Sequence, residues 1–280
     1  MHLFKSFTPP FIWNVLKDIK TSITKEGWHG DYKTWGEAVN FSSGYGSTHI
    51  LTRCKEALLK VKNGEAVYER DGVLFDHVHY SWGLLAGLLK VALENGGNLH
   101  VLDFGGSLGS TYFQNKGFLN SLKELRWNIV EQQHFVDCGQ AYFEDKNLRF
   151  FHSVEEYIAE STPDVLLLSS VLQYLPKPYE WIEKFGDLGI SHIILDRTAF
   201  IDSEMDIITI QRVNEPNFET SYPAWFFNEQ RIIDAWSKKG YSIVAKFDSD
   251  ITPPSFINKR HFATWKGIFL EKIESVNDKK

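Results

Sequence analysis

The stretch Val101-Leu102-Asp103-Phe104-Gly105-Gly106-Ser107-Leu108-Gly109-Ser110 joins an apolar run to a glycine-rich bend. Glycines let the backbone turn sharply and let a ligand approach with no Cβ in the way. A helix that starts there presents unpaired N–H groups, which favour a carboxylate or a phosphate. Asp103, at the end of the apolar run, adds a carboxylate that would repel a pyrophosphate but accept a hydrogen bond from an ammonium group. Glu131 closes the next apolar run, Trp127-Asn128-Ile129-Val130-Glu131. An acid there can accept hydrogen bonds from both hydroxyls of a ribose, with Gln132 as its weaker neighbour. Upstream, Asp76-His77-Val78-His79-Tyr80 would put two imidazoles on one face of a strand. No third ligand follows at a metal-binding spacing, so no metal site is expected. A histidine acting as general base suits proton removal near neutral pH.

These residues need a frame. Leu99–Phe104, Trp127–Glu131, Leu148–Phe151, Asp164–Ser169 and His192–Asp196 read as five strands, and helical stretches separate them: Leu108–Lys123, His134–Phe143, Val154–Ala159 and Tyr179–Phe185. The fourth strand is apolar throughout, as a parallel strand covered on both faces should be. Asn228 reads as an N-cap for Glu229–Lys239, a helix with Ile232, Ile233 and Trp236 on one face and Gly240 just past its end. Tyr241–Phe247 and Phe262–Leu270 close the chain as two strands with no helix between them, which makes an antiparallel pair. The fold class expected is α/β: a Rossmann-like, doubly wound, mostly parallel seven-stranded sheet with an antiparallel last strand, plus an N-terminal helical extension. Residues 1–95 form that extension, packed on the core through Ser81–Leu93 (Trp82, Leu85, Leu88, Leu89, Ala92). Residues 96–275 form the main domain. Within it 198–226 is too long for a plain connection and reads as an insertion, a lid over the site.

In such sheets ligands bind outside the C-terminal strand ends, so the remaining strand-end residues are candidates. Ser153, after the third strand, can bond an adenine edge; with Glu156 three residues on it can equally cap a helix. Ser169, Ser170 and Val171 follow the fourth strand and should line the middle of the ligand, with Tyr174 and Leu175 as walls. Asp196 and Arg197 end the fifth strand. Asp196 can orient or deprotonate a hydroxyl, or the two can form a surface ion pair of little consequence. Tyr32, Tyr45 and Tyr222 can cover the ligand or simply pack.

The bend does not carry G-x-G-x-x-G, because from Gly105 the second and third glycine positions are Ser107 and Ser110. A ligand with an amino acid end, S-adenosylmethionine, matches better. At these residues the chain resembles the class I S-adenosylmethionine-dependent methyltransferases. It is similar, more narrowly, to a group of bacterial methyltransferases often associated with surface-polysaccharide genes. The likeness is carried by Tyr32-Lys33-Thr34-Trp35, Gly44-Tyr45, Val101–Ser110, Trp127–Gln132, Asp164–Leu175 and Ile194–Thr198. Ser107 stands where that class often has glycine. The resemblance implies S-adenosylmethionine as cofactor, held by Asp103, Gly105, Gly106, Ser107, Gly109, Glu131, Gln132, Ser153, Ser169, Ser170 and Val171. It also implies methyl transfer, for which a small-molecule or glycan-type acceptor is expected; an oxygen nucleophile must lose its proton, which makes His77, His79 and Asp196 the candidate catalytic groups on their own chemistry. Two other readings stay open: an NAD(P)-dependent oxidoreductase or epimerase, and a non-catalytic cofactor-binding scaffold.

Composition bounds the rest. The 280 residues are 43% hydrophobic and 24% charged with a net charge of -6, an ordinary globular balance that argues against a general nucleic-acid partner. Two cysteines without a CxxC pair exclude a disulfide scaffold. Met1–Lys17, with Pro9-Pro10, lacks the apolar stretch of a signal peptide, and no run is long enough to span a bilayer, so a cytoplasmic protein is expected.

Overall fold

The computed structural model describes residues 26–44, 47–215, 218–249 and 254–273. Tyr45 and Met1–Lys17, both read above, lie outside them. The chain begins with β1 (Gly27–Tyr32), α1 (Trp35–Asn40) and α2 (Ser47–Lys62). A short hairpin follows, β2 (Tyr68–Arg70) and β3 (Val73–Phe75), and then α3 (Trp82–Glu94). The alternating part runs β4 (Asn98–Phe104), α4 (Ser110–Leu119), β5 (Glu124–Val130), α5 (Gln133–Tyr142), β6 (Leu148–Phe151), α6 (Val154–Glu160), β7 (Val165–Ser169), α7 (Pro178–Asp187) and β8 (His192–Ile201). It ends with β9 (Ile207–Glu215), β10 (Phe218–Asn228), α8 (Glu229–Lys238), β11 (Tyr241–Asp248), β12 (Ser255–Ile257) and β13 (His261–Lys272).

The central sheet is doubly wound. Its order is β6-β5-β4-β7-β8 with all five strands parallel, followed by β13 antiparallel to β8 and β11 antiparallel to β13. These are the seven strands expected, with the antiparallel strand at the predicted place. The winding reverses between β4 and β7, so the crevice of this sheet opens at the tips of those two strands.

Pleating divides the core between the two faces. Leu167 of β7 and Ile194 of β8 join Leu84, Leu88 and Val91 of α3 and Phe135 of α5 on one face. Leu166, Leu168, Ile193 and Leu195 join Ile182 and Phe185 of α7 and Ile232 and Trp236 of α8 on the other. Helix α3 packs through Leu84, Leu85, Leu88, Val91 and Ala92. Trp82 and Leu89, expected on that stripe, face outward instead. Asn228 caps α8 as read, its side chain accepting the Arg231 N–H at 3.0 Å. Trp236 is fully buried on that helix. Trp236→Ala should therefore lower the unfolding free energy by about 3–5 kcal/mol in urea titrations; a change within about 0.5 kcal/mol is what a surface position would give.

Strand β8 runs five residues past the Asp196 end read from sequence. Its outer half pairs with β13 through Lys266↔Thr198 to Ala263↔Ile201, and β10 joins it in parallel at Phe227↔Phe200 and Asn228↔Ile201. The 198–226 segment thus holds the rest of β8, then β9 and most of β10. β9 and β10 are antiparallel to each other, and β1 pairs on the outer side of β9. The N-terminal region contributes strands to the sheet and a hairpin, as well as helices. Among the described residues, no helix is long and apolar enough to cross a membrane.

Candidate active site at the strand tips

The bend after β4 is built around the carboxylate of Asp103. Gly105 adopts φ +74° and its N–H donates to Val130 O at 2.9 Å, which ties the start of the bend to the end of β5. A Cβ at Gly105 would enter the van der Waals volume of Val171 Cγ2. At Gly106 a Cβ would lie 2.5 Å from Asp103 Oδ2, so the absence of a side chain there is what lets the carboxylate tuck under the bend. Ser107 sits at φ +54° and Gly109 at φ +102°. The position that carries serine in place of the class glycine therefore does take the left-handed conformation, which a non-glycine residue adopts at some cost.

Asp103 is buried. Its Oδ2 accepts the indole N–H of Trp127 at 2.9 Å, and its Oδ1 is buried with no hydrogen-bond partner. Burial pushes its carboxyl up to about 7; the Trp127 donor and Arg197 oppose the rise, and Glu131 and Asp196 add to it. Glu131 stands beside the bend. One carboxylate oxygen accepts the Ser107 N–H at 3.3 Å and the other accepts the Gln132 N–H at 2.7 Å. Burial raises its pKa, and these two donors restrain the rise. Gln132 itself is exposed and caps α5 only through its backbone.

Across the crevice, Ser170 adopts φ +55° and its N–H donates to Asp196 O at 2.8 Å. This turn presents Val171 to Gly105. The buried Ser169 hydroxyl donates to Asp196 Oδ2 at 2.7 Å, and Ser81 at the start of α3 donates to Oδ1 at 2.9 Å. Asp196 is 1% exposed, so its pair with Arg197 is buried and is not the surface ion pair considered above. Both oxygens of Asp196 are engaged by hydroxyls, with Arg197 Nε 3.6 Å away. Arg197, at φ +49°, also lies 3.8 Å from Asp71. Burial works against its charge, yet Asp71 and Asp196 hold its pKa above the ordinary value.

Ser153 is committed to the local helix. Its Oγ accepts the Glu156 N–H at 3.1 Å, and Glu156 returns a bond to the His152 N–H at 2.7 Å. Tyr174 reaches back to Gln211 of β9 at 2.9 Å and stands edge-on to Tyr222. Tyr32 packs with Phe41. His77 is exposed, 2.5 Å from Asp76 through Nδ1, and its ring lies 4.1 Å from that of His79. Burial lowers the pKa of His79, and the neighbouring His77 and Arg70 lower it further.

The hairpin that covers these tips went unread in the sequence. Its turn is Asp71-Gly72 with φ +51° and +74°, the geometry that a two-residue hairpin loop prefers. An Asp-Gly pair between Val67-Tyr68-Glu69-Arg70 and Val73-Leu74-Phe75 is the signal that would have found it. The hairpin is tied at both sides. Buried Glu69 takes the Ser110 hydroxyl at the start of α4 and the Gly72 N–H at 3.1 Å. Arg53 of α2 donates to Asp71 O at 3.0 Å and Gly72 O at 3.3 Å. Tyr68, Glu69 and Arg70 are all buried. They bridge from the glycine bend to the tip of β8.

The class that this geometry defines is an open α/β protein whose sheet reverses its winding between β4 and β7, with an acid at each of the first two strand tips. No family model matches the sequence, and no curated protein matches it. Solved structures with a similar arrangement include an S-adenosylmethionine-dependent methyltransferase from Clostridium acetobutylicum: 11% identity, 70% of this chain, 93% of that one, TM-score 0.46. The N-terminal domain of EvdMO1, crystallised in the presence of SAH and D-fucose, shows 13% identity over 82% of this chain and 98% of that one, with TM-score 0.47. CalS10, an amino pentose methyltransferase from Micromonospora echinaspora, shows 10% identity over 69% of this chain and 92% of that one, with TM-score 0.44. At these values the likeness adds nothing to the site, which rests on its own geometry.

Proposed function

We propose that this protein is an S-adenosylmethionine-dependent methyltransferase acting at oxygen on a small-molecule or glycan-type acceptor. The observation that carries the reading is the Asp103 carboxylate. A buried acceptor oxygen without a donor is costly, and Oδ1 of Asp103 lies under a bend whose geometry excludes side chains at Gly105 and Gly106. A ligand ammonium is the donor that completes it.

Asp103, Gly105, Gly106, Ser107 and Gly109 would hold the amino acid end of the cofactor. Glu131, already fixed by two backbone N–H groups, would accept from the ribose hydroxyls, with Gln132 beside it. Val171 and the Ser169-Ser170 turn would line the middle. Ser153, its Oγ used in a cap, would offer only its hydroxyl proton to the adenine. When bound, the cofactor supplies a methyl carbon activated by its sulfonium. The protein then has to align the acceptor, exclude water and take up a proton. The β2–β3 hairpin, together with the rest of residues 26–95 and the 198–226 segment, would form the acceptor wall and keep water out. His79 suits the proton acceptor: burial and nearby charge favour its neutral ring. His77, exposed and paired with Asp76, would orient it. Asp196, taking hydroxyl donors on both oxygens, would position Ser81, Ser169 and Arg197. The surface-polysaccharide setting of the similar bacterial group supports a glycan-type acceptor in the cytoplasm.

Calorimetry with S-adenosylhomocysteine tests the reading. The native protein is expected to bind it and not NAD. Glu131→Ala should weaken binding about tenfold to a hundredfold, the size of one or two hydrogen bonds to a charged acceptor. Transfer of labelled methyl to glycan extracts should follow the same order. Unchanged affinity in Glu131→Ala would remove Glu131 from the site, and binding of NAD in place of S-adenosylhomocysteine would replace the whole reading with a dinucleotide one.

A further inference from the structure

Strand β2 is only three residues long, and all three are buried. Pleating sends Glu69 to one side and Tyr68 and Arg70 to the other. Glu69 reaches Ser110 at the glycine bend, the side of the proposed cofactor. Tyr68 and Arg70 therefore face away from it, toward the tip of β8, where Arg197 lies against the hairpin turn. Arg70 is 7% exposed and Tyr68 is 3% exposed.

Neither side chain is satisfied there. Arg70 Nη1 and the Tyr68 hydroxyl are buried with no hydrogen-bond partner, and the Arg70 guanidinium lies 5.5 Å from the centre of the Tyr68 ring. The nearby acids are engaged elsewhere. Asp196 takes Ser81 and Ser169 and lies 3.6 Å from Arg197, Glu69 takes Ser110 and the Gly72 N–H, and Asp71 lies 3.8 Å from Arg197. Arg197 is close enough to Arg70 to help burial lower the Arg70 pKa. Two buried guanidiniums that feel each other's charge, Arg70 with an N–H that has no partner, create a demand for an anion. A guanidinium fork with a phenol beside it matches the oxygens of a carboxylate or a phosphate.

We propose that Arg70, Tyr68 and Arg197 form an anion subsite that receives a carboxylate or phosphate group carried by the methyl acceptor. The inference rests on the methyltransferase reading for its location beside the cofactor. The acceptor is then an acidic molecule, such as a uronic acid or a sugar phosphate, and not a neutral sugar. His79 feels the Arg70 charge, so an anion held by Arg70 would bring the acceptor within reach of that imidazole.

The test uses the full chain with S-adenosylhomocysteine bound, titrated with D-glucuronate, α-D-glucose 1-phosphate and neutral D-glucose. At least one charged sugar should bind about tenfold or more tighter than glucose, and which of the two binds separates carboxylate from phosphate. Arg70→Gln should abolish that preference while the affinity for S-adenosylhomocysteine changes less than about twofold. Arg70→Lys, which keeps the charge but loses the fork, and Tyr68→Phe should each retain part of it; they keep the proposal testable if Arg70→Gln does not fold. Equal binding of all three sugars by the native complex overturns the proposal. So does a Arg70→Gln protein that loses S-adenosylhomocysteine but keeps 5′-methylthioadenosine, because Arg70 would then be holding the cofactor's own carboxylate. If the native protein binds neither adenosyl compound, the methyltransferase reading fails. Stabilisation of the free protein by inorganic phosphate, lost in Arg70→Gln, would still uphold the anion site.

Discussion

Gly105→Val is expected to abolish S-adenosylhomocysteine binding while leaving a folded protein. Two independent effects act at this position. Gly105 sits at φ +74°, where a β-branched residue is a genuine outlier and backbone strain is about 1–3 kcal/mol. The added Cβ also enters Val171 Cγ2 across the crevice, so either the bend or the Ser169–Val171 turn must move. Both carry proposed cofactor contacts, and a loss of about a hundredfold or more in affinity follows from about 3 kcal/mol. The two effects can be separated. Gly105→Ala retains the strain with a smaller clash, and adding Val171→Ala to it removes most of the clash. The double variant should recover about tenfold of the affinity that Gly105→Ala loses, since residues in contact couple by about 0.5–3 kcal/mol. Circular dichroism and thermal unfolding identify variants that are merely unfolded. If folded Gly105→Val binds with native affinity, the ligand does not sit on this bend.

The same contact shows what the sequence makes legible and what it hides. The five parallel strands are readable because β7 and the inner half of β8 are apolar on both faces, which no solvent-exposed element tolerates. The acids at the tips of β4 and β5 are readable because each ends an apolar run. Other features depend on contacts far apart in sequence. Nothing near Val171 says that it will meet Gly105, and nothing near Trp127 says that its indole will donate to Asp103. Asp196-Arg197 looks like a polar strand end, yet β8 continues to Ile201 because β13 and β10 supply partners for its outer half. That pairing buries Asp196, and the hydroxyls of Ser81 and Ser169 make the burial tolerable. Ser153 shows the reverse case, where the local signal of Glu156 three residues on is the one the structure uses. Hydrophobicity alone places Trp82 on the packed stripe of α3. The stripe runs through Leu84, Leu88 and Val91 instead, leaving Trp82 59% exposed against Tyr80 and Phe118. The hairpin is hidden for a different reason: its Asp-Gly signal is plain, but its strands are three residues each, too short for an alternation pattern to register.

Asp103→Asn should stabilise the protein above neutral pH while weakening the cofactor site. In the unfolded chain this carboxyl titrates near its ordinary value of 3.8, and in the folded protein it titrates at about 7. Between those values the folded state holds a proton that the unfolded state has released, so stability falls as pH rises through that window and levels off above it. The displacement of about three pH units corresponds to about 4 kcal/mol at full weight. Asparagine removes the titration. Its Oδ1 can still accept the Trp127 indole N–H, leaving its amide as an unpaired donor at a penalty of about 1–3 kcal/mol. The variant is therefore expected to be less stable than the native protein near pH 4, and more stable by about 1–3 kcal/mol near pH 8. The groups that set the Asp103 value, Trp127, Glu131, Arg197 and Asp196, stay in place, so the change in slope belongs to Asp103. Function moves the other way. Only the ionised carboxylate can pair with a ligand ammonium, so native S-adenosylhomocysteine affinity should rise with pH up to about 7 and then flatten, with nearly one proton released on binding near pH 6. In Asp103→Asn the pH dependence and the proton release should shrink to what Glu131 contributes, and affinity near pH 8 should fall about tenfold or more, as expected when a charge-assisted hydrogen bond is lost. Urea unfolding across this pH range and calorimetry in buffers of different ionisation enthalpy measure the two halves separately. Burial also raises the Glu131 and Glu69 carboxyls, so a smaller slope should remain; a slope of native size in Asp103→Asn would place the main titrating group elsewhere. An affinity that stays native would mean that the orphan oxygen of Asp103 faces no ligand ammonium.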